Sequence, residues 1–330
     1  MNRALHIIFA FFLFIIVLEI GSKIHMDSLG YHHLKSLKES NTPVRYWKNL
    51  PYKLRQRDGR ITRIWKNGNI VLDVPFKIDP GTRRVSYPLL KDAQEYLVFI
   101  GCSFTFGAGV SDTETLPSQY QKLSDYFRVY NYGVGGASPE EVLYRLQNIS
   151  SDELKEKAGR VVYSYFAGHL SRHFYHPNFV ARWGYQKLVY RKIDGKVTSL
   201  GSYEQVYPYR TYWYRLRWKS YFYQLFSQAF PDYLSEKEIK KFAEFLGTMS
   251  KESIRLSGKK LIVVIWPNSI RPQSLKGHLK KQDLEILDLS ELDLKKLTNN
   301  KDKIPYDGHP SEATYAIIAR ALNSFLEKRP

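Results

Sequence analysis

The chain has 330 residues, 43% of them hydrophobic and 25% charged; this is ordinary for a folded protein, excludes global disorder, and is enough for one large domain or two small ones. A net charge of +18 attracts anions such as nucleic acid, phospholipid headgroups or acidic polysaccharide, but neither zinc-finger spacing nor the aromatic motif of an RNA-binding sheet is present, so a nucleic-acid partner is not expected. The one cysteine, Cys102, excludes an intrachain disulfide and a cysteine-rich metal site.

In chain order, Ala4 to Ile20 is apolar except for His6 and Glu19, with Arg3 before it and Lys23 after it. Seventeen residues is the lower limit for a membrane span, and no small-x-small cleavage site follows. Residues 1–22 are therefore expected to be an uncleaved single-pass membrane anchor; a cleaved signal segment and a buried core helix are the alternatives. Residues 23–92 form an N-terminal extension. Within it Ile61 to Leu72 alternates apolar and polar residues around Asn67-Gly68, which predicts a β-hairpin.

From residue 93 to 330 the pattern becomes strand, helix, strand. Tyr96–Ile100 is a short apolar run suited to a strand buried on both faces, Thr115–Tyr126 has helical spacing, and Phe127–Tyr132 reads as a second strand. Ser138-Pro-Glu-Glu141 opens a helix with a serine cap, a first-turn proline and a glutamate three residues on. Val161–Tyr165 is a third strand, Ser235 with Glu238 opens another helix, and Leu261–Trp266 is a fourth strand ended by Pro267. Leu284–Leu289 is a fifth, and Ser311 caps a final helix through Leu326. The alternation predicts an α/β fold with a mainly parallel sheet covered on both faces. Residues from about 170 to 234, rich in Tyr, Trp and Arg, break this rhythm and read as an aromatic and basic insertion. Its interleaved Tyr, Trp and Arg suit a membrane interface, stacking on sugar rings, or simply a helix-rich flank over the site.

Three stretches carry chemistry. Gly101-Cys-Ser-Phe-Thr-Phe-Gly107 follows the first buried strand, where ligands bind in open α/β sheets; Ser103 on a tight turn presents its hydroxyl with backbone N–H groups near it. Asn131-Tyr-Gly-Val-Gly-Gly136 follows the second strand, and its glycines let N–H groups approach a substrate. Tyr306-Asp-Gly-His-Pro-Ser311 precedes the last helix, and there Asp307 can hold the ring of His309, a natural base for a serine. Each alone is equally readable as a turn. His169, His173 and His176 have spacings of four and three, but Pro177 follows at once and no carboxylate lies among them, so no metal site is expected.

Taken together, the order and spacing of these stretches resemble the SGNH (GDSL-type) hydrolase superfamily over roughly residues 93 to 328. The resemblance implies a three-layer α/β/α, flavodoxin-like fold and serine esterase, lipase or acyltransferase chemistry without a cofactor. It implies Ser103 as nucleophile, His309 as base and Asp307 as the acid that orients it. For the oxyanion hole it implies the N–H groups of Ser103 and Gly136. The sequence departs from the family in three places: Cys102 stands where the family has aspartate, the acid and histidine are one residue closer than usual, and no asparagine follows the third strand. In Phe166-Ala-Gly-His-Leu-Ser-Arg172 the nearest replacement donor is His169, with Gly168 as the other alignment. The expected partners are an acyl-ester small molecule, a lipid or an acylated glycan, together with the membrane. The expected placement is the cell membrane, with the catalytic part on the extracytoplasmic (periplasmic) side. Two other readings stand beside ester hydrolysis: an O-acyltransferase or deacetylase acting on an envelope polysaccharide, and a non-catalytic glycan- or lipid-binding module.

Overall fold

The computed structural model describes residues 3–28, 38–40, 58–64, 70–193, 196–229, 234–267, 274–305 and 307–328. The apolar N-terminus is one helix, α1 (Arg3–Ser28). Its segment His6–Met26 is long and apolar enough to cross a membrane, and little of it is buried by the rest of the chain. Strands β1 (Lys38–Ser40), β2 (Gly59–Ile64) and β3 (Ile70–Phe76) form an antiparallel sheet in that order. The pairing of β2 with β3 is the hairpin expected around Asn67-Gly68, whose turn lies outside the described residues.

The central sheet is built from β4 (Glu95–Ile100), β5 (Phe127–Asn131), β6 (Gly159–Tyr165), β9 (Ile262–Ile265) and β10 (Glu285–Asp288). All of its ladders are parallel, in the order β10-β9-β6-β4-β5. Read from the β5 edge, the five strands run second, first, third, fourth, fifth along the chain. That is the doubly wound, flavodoxin-like order, whose switch point falls between β4 and β6. Alternation along β4 sends Tyr96, Val98 and Ile100 into one core and Leu97 and Phe99 into the other. The first core is closed by α4 (Pro139–Gln147) and α10 (Glu236–Ser257), and the second by α3 (Leu116–Gln121) and α13 (Glu312–Glu327). The result is a three-layer α/β/α fold, as the alternating pattern predicts.

Local chemistry sets the helix starts. Ser138 with Glu141 and Ser235 with Glu238 each close a reciprocal capping box, and Ser311 accepts from the Thr314 N–H. The helix expected over Thr115–Tyr126 is shorter, ending at Gln121. The Gln121 amide donates to the carbonyls of Ser124 and Phe127 and accepts from the Val129 N–H. It thereby turns the chain into the edge strand instead of letting the helix continue.

Between β6 and α10 lie α5 (Gly168–His173), α6 (Pro177–Arg182), the antiparallel pair β7 (Leu188–Ile193) and β8 (Lys196–Ser202), α7 (Tyr203–Val206), α8 (Pro208–Trp218) and α9 (Tyr221–Ala229). The sequence reading did not resolve the β7–β8 hairpin, because Lys and Arg interrupt its alternation. Among the described residues the remaining short helices are α2 (Ser103–Phe106), α11 (Ser274–Leu279) and α12 (Leu294–Leu297).

Candidate active site

Ser103 opens α2 directly after β4, at the carboxyl end of the sheet beside the switch point. The approach to it needs glycine. Gly101 has φ +151°, and a Cβ there would stand 2.2 Å from Thr105 Oγ1. The carbonyl of Cys102 accepts from the N–H groups of Thr105 and Phe106, and the carbonyl of Ser103 accepts from those of Gly107 and Ala108. As the first residue of the helix, Ser103 has no preceding helical carbonyl for its own N–H. The hydroxyl is 7% exposed as part of its residue and 4.0 Å from the Cys102 sulfur.

The second glycine stretch packs onto this turn. Asn131 is fully buried; its Oδ1 accepts from the Gly133 N–H (3.0 Å) and its Nδ2 donates to the Phe106 carbonyl (3.4 Å). A Cβ on Gly133 would lie 2.3 Å from the Phe106 nitrogen and 2.7 Å from the Thr105 carbonyl carbon. Both are backbone atoms, so Gly133→Ala should lower stability by at least about 1–3 kcal/mol. A denaturant midpoint equal to that of the wild type would refute this account of the close approach. Gly136 lies farther out: a Cβ there would stand 3.2 Å from the Trp183 ring and 3.5 Å from Lys187 Nζ.

Asp307 and His309 share the loop before α13. The Nδ1 of His309 is hydrogen-bonded to Asp307 Oδ1, and the His309 backbone N–H reaches the same oxygen at 3.3 Å. The Asp307 side chain is 1% exposed and that of His309 is 22% exposed. Positive φ at Gly308 and the bond from the Ile304 N–H to the His309 carbonyl (2.8 Å) complete the tight turn.

Phe104 joins these parts. Its ring stacks on Phe166 at 4.5 Å, meets Trp266 edge-on at 5.2 Å and meets the His309 ring edge-on at 5.9 Å. The ends of β4, β6 and β9 and the last loop thus converge one residue from Ser103. Asp307 lies near the chain that leaves this turn, 3.9 Å from where a Cβ on Gly109 would be.

His169 stands elsewhere. It is wholly buried, with Nδ1 2.7 Å from the Tyr163 hydroxyl and its ring stacked on Tyr163 and edge-on to Phe166. Its Nε2 has no hydrogen-bond partner among the described residues. The ring packs in the core under α5, which Gly168 beside it opens. Burial, followed by the charge of Arg172, pushes the His169 pKa well below the usual histidine value of 6.5. The group is neutral when folded but protonates in the unfolded chain as the pH drops below 6.5. Its contribution is therefore full above 6.5 and is lost on acidification, at up to about 1.4 kcal/mol per pH unit. In thermal unfolding between pH 7 and 5, His169→Gln should lose less stability than the wild type; parallel profiles would refute it. His173 pairs with Glu140 at 2.5 Å. Among the described residues no group of three or more His, Cys, Asp or Glu is placed to hold a metal ion.

The sequence reading missed Arg84. Its buried guanidinium is 2.8 Å from Asp112 and donates to the carbonyls of Phe106 (3.0 Å), Gly107 (2.5 Å) and Val110 (2.7 Å), tying down the chain that leaves α2. Its backbone N–H donates to the Asn131 carbonyl at 3.2 Å. Phe76 of β3 packs on Phe106 at 5.3 Å in a cluster with Ile61 and Ala108. Arg172 was also missed: it donates to the Ala137 carbonyl (2.9 Å) and lies over the rings of Phe166 and Trp183. A cavity of about 750 Å³ at the β9–β10 edge, lined by Arg160, Lys260, Lys276, Glu285 and Asp288 among others, contains none of the candidate residues.

No family model matches the chain, and no curated protein matches it. Solved structures to which it is similar include one named TesA (12% identity, 71% of this chain and 99% of that one, TM-score 0.41). Another is a lipase/acylhydrolase from Enterococcus faecalis (15%, 72% and 97%, TM-score 0.38). A third is an esterase of the SGNH-hydrolase family (14%, 72% and 98%, TM-score 0.35).

Proposed function

We propose that the chain is a membrane-anchored serine ester hydrolase of the SGNH type. The observation that carries this is the convergence at the sheet's carboxyl end: an Asp307–His309 pair packs its imidazole against Phe104, the residue after a helix-opening serine. A carboxylate on Nδ1 leaves Nε2 as the ring nitrogen that takes and returns protons.

In this reading the Ser103 oxygen attacks the acyl carbonyl carbon while its proton passes to His309 Nε2. The N–H groups of Ser103 and Gly136 hold the oxyanion, and Asp307 stabilises the imidazolium. The carbon–oxygen bond to the alcohol then breaks as His309 returns the proton to the departing oxygen. Water gives its proton to His309 and attacks the acyl-enzyme, releasing the carboxylic acid and restoring Ser103. In this reading His169, buried beneath α5, takes no part.

The anchor is α1, and the catalytic part lies on the extracytoplasmic side. A carboxyl-terminal reporter active only outside the cytoplasm is the expected result; a cytosolic reporter would overturn that orientation. The enzymatic reading is tested by a fluorophosphonate probe, which should form a covalent adduct found by peptide mass spectrometry on Ser103. His309→Ala should slow adduct formation by at least about a hundredfold. An unmodified Ser103 in folded protein would overturn the assignment.

A further inference from the structure

Helix α8 carries a stripe that faces away from the protein. Tyr209, Tyr212, Trp213 and Leu216 are 89%, 69%, 54% and 41% exposed. Their spacing of three, four and seven from the first places them on one helix face. The opposite face is occupied: Thr211 is buried and Tyr214 packs on the cluster of Phe179, Val180, Val189 and Tyr203. Exposed Arg210 and Arg215 flank the stripe on its two sides, and Lys219 follows it. An apolar aromatic face bordered by cations is the pattern of a helix lying in a membrane interface.

A second observation points the same way. Glu19 of α1 reaches the start of α9, the helix that follows α8. Its carboxylate accepts from the Ser220 hydroxyl and from the Tyr221 N–H (2.7 Å), and Lys23 lies over the Tyr221 ring at 5.9 Å. Ser22 and Met26 are buried, whereas Ile7 to Val17 are exposed. The protein therefore grips α1 from Glu19 onward and leaves the preceding apolar turns bare. The turns before Glu19, from His6 to Leu18, span about 20 Å, some 10 Å less than the hydrocarbon thickness of about 30 Å. An interfacial helix sinks about 5–10 Å into the headgroup boundary, a depth that makes up the difference. Phe222, whose N–H donates to the Glu19 carboxylate, is exposed as well.

We infer that the Tyr209, Tyr212, Trp213 and Leu216 face of α8 lies in the leaflet from which α1 emerges, with Arg210, Arg215 and Lys219 on its anionic headgroups. This rests on the reading of α1 as a membrane span. It makes the aromatic segment a second, interfacial attachment that fixes the height and tilt of the body above the bilayer. The acyl-transfer site is then held beside the membrane rather than swinging free on one helix.

The test uses the full chain in vesicles of phosphatidylethanolamine and phosphatidylglycerol. Cys102 is wholly buried, so single introduced cysteines can carry an environment-sensitive fluorophore. The positions are Tyr212→Cys and Leu216→Cys on the stripe, Phe12→Cys on α1, and Leu89→Cys on the exposed extension. The expected result is severalfold stronger quenching by spin-labelled lipid than by aqueous iodide at the first three, and the reverse at Leu89→Cys. If Phe12→Cys is quenched by lipid but both stripe positions only by iodide, the span stands and the interfacial face is wrong. If Phe12→Cys also responds only to iodide, the span reading itself fails. Protection of the stripe from both quenchers would mean a protein partner covers it, and would overturn the proposal.

Discussion

Ser103→Ala should reduce hydrolysis of a short acyl ester by about three to six orders of magnitude while leaving the far-ultraviolet circular dichroism spectrum and melting temperature near those of the wild type. In the proposed mechanism the change removes the only atom that becomes covalently bonded to substrate, which sets the size. Rate remaining after such a loss comes from binding and the oxyanion donors alone. The fold should tolerate the change, because no other group in the described structure relies on that hydroxyl: its one recorded neighbour is the Cys102 sulfur at 4.0 Å, a weak contact. His309→Ala should fall in the same range, and the double variant should be little worse than either single one, since nucleophile and base act as a unit. Turnover by Ser103→Ala at the wild-type rate would remove Ser103 from the chemistry whatever its surroundings.

Arg84→Met should be the most destabilising single substitution near the site. The methionine roughly fills the space but leaves Asp112 without its guanidinium and removes the hydrogen bonds from Arg84 to the carbonyls of Phe106, Gly107 and Val110. Breaking a buried charge pair by deleting one member typically costs about 3–5 kcal/mol. For a chain of this class that corresponds to a drop in melting temperature of roughly 6–20 °C. Activity should fall even where the protein remains folded, because those carbonyls hold the chain leaving the Ser103 helix. Arg84→Lys should recover part of the stability, since one ammonium can reach Asp112 but cannot span three carbonyls at once. An unchanged melting temperature in Arg84→Met would show that the turn is held by its own helix and by Asn131.

The comparison of sequence with structure divides along the range of the interactions. Features written in a few adjacent residues were legible. They include the apolar runs of β4 and β9, the capping boxes at Ser138 and Ser235, the serine at Ser311 and the closeness of Asp307 to His309. The flavodoxin-like arrangement was implied by the family resemblance rather than read from any one segment. What depended on distant segments meeting was not legible. Arg84 sits in a run of polar residues with nothing to mark it, and its partners lie 22 to 28 residues away. The Phe104 cluster draws Phe166, Trp266 and His309 from three separate loops, and an aromatic residue after a serine has no pattern that announces this. The burial of His169 was not legible for a related reason. A histidine at the right place in the chain reads as a donor, but the turn of α5 carries its ring inward onto Tyr163, where burial favours the neutral form. The helix ending at Gln121 was overestimated because spacing alone does not reveal a side-chain amide that ties up the backbone of the next strand.

The bond between Glu19 and Ser220 joins residues 201 positions apart. During synthesis at roughly 5–20 residues per second, Ser220 follows Glu19 by about 10–40 s. For that interval the carboxylate has neither its hydroxyl nor the α9 amides, and a bare charge held in hydrocarbon is costly. On the proposed reading of α1 as a membrane span, the nascent helix should therefore come to rest with Glu19 at the aqueous boundary, waiting for the later part of the chain. Biogenesis then has an order built into it, in which the helix sets the level and the body assembles onto it afterward.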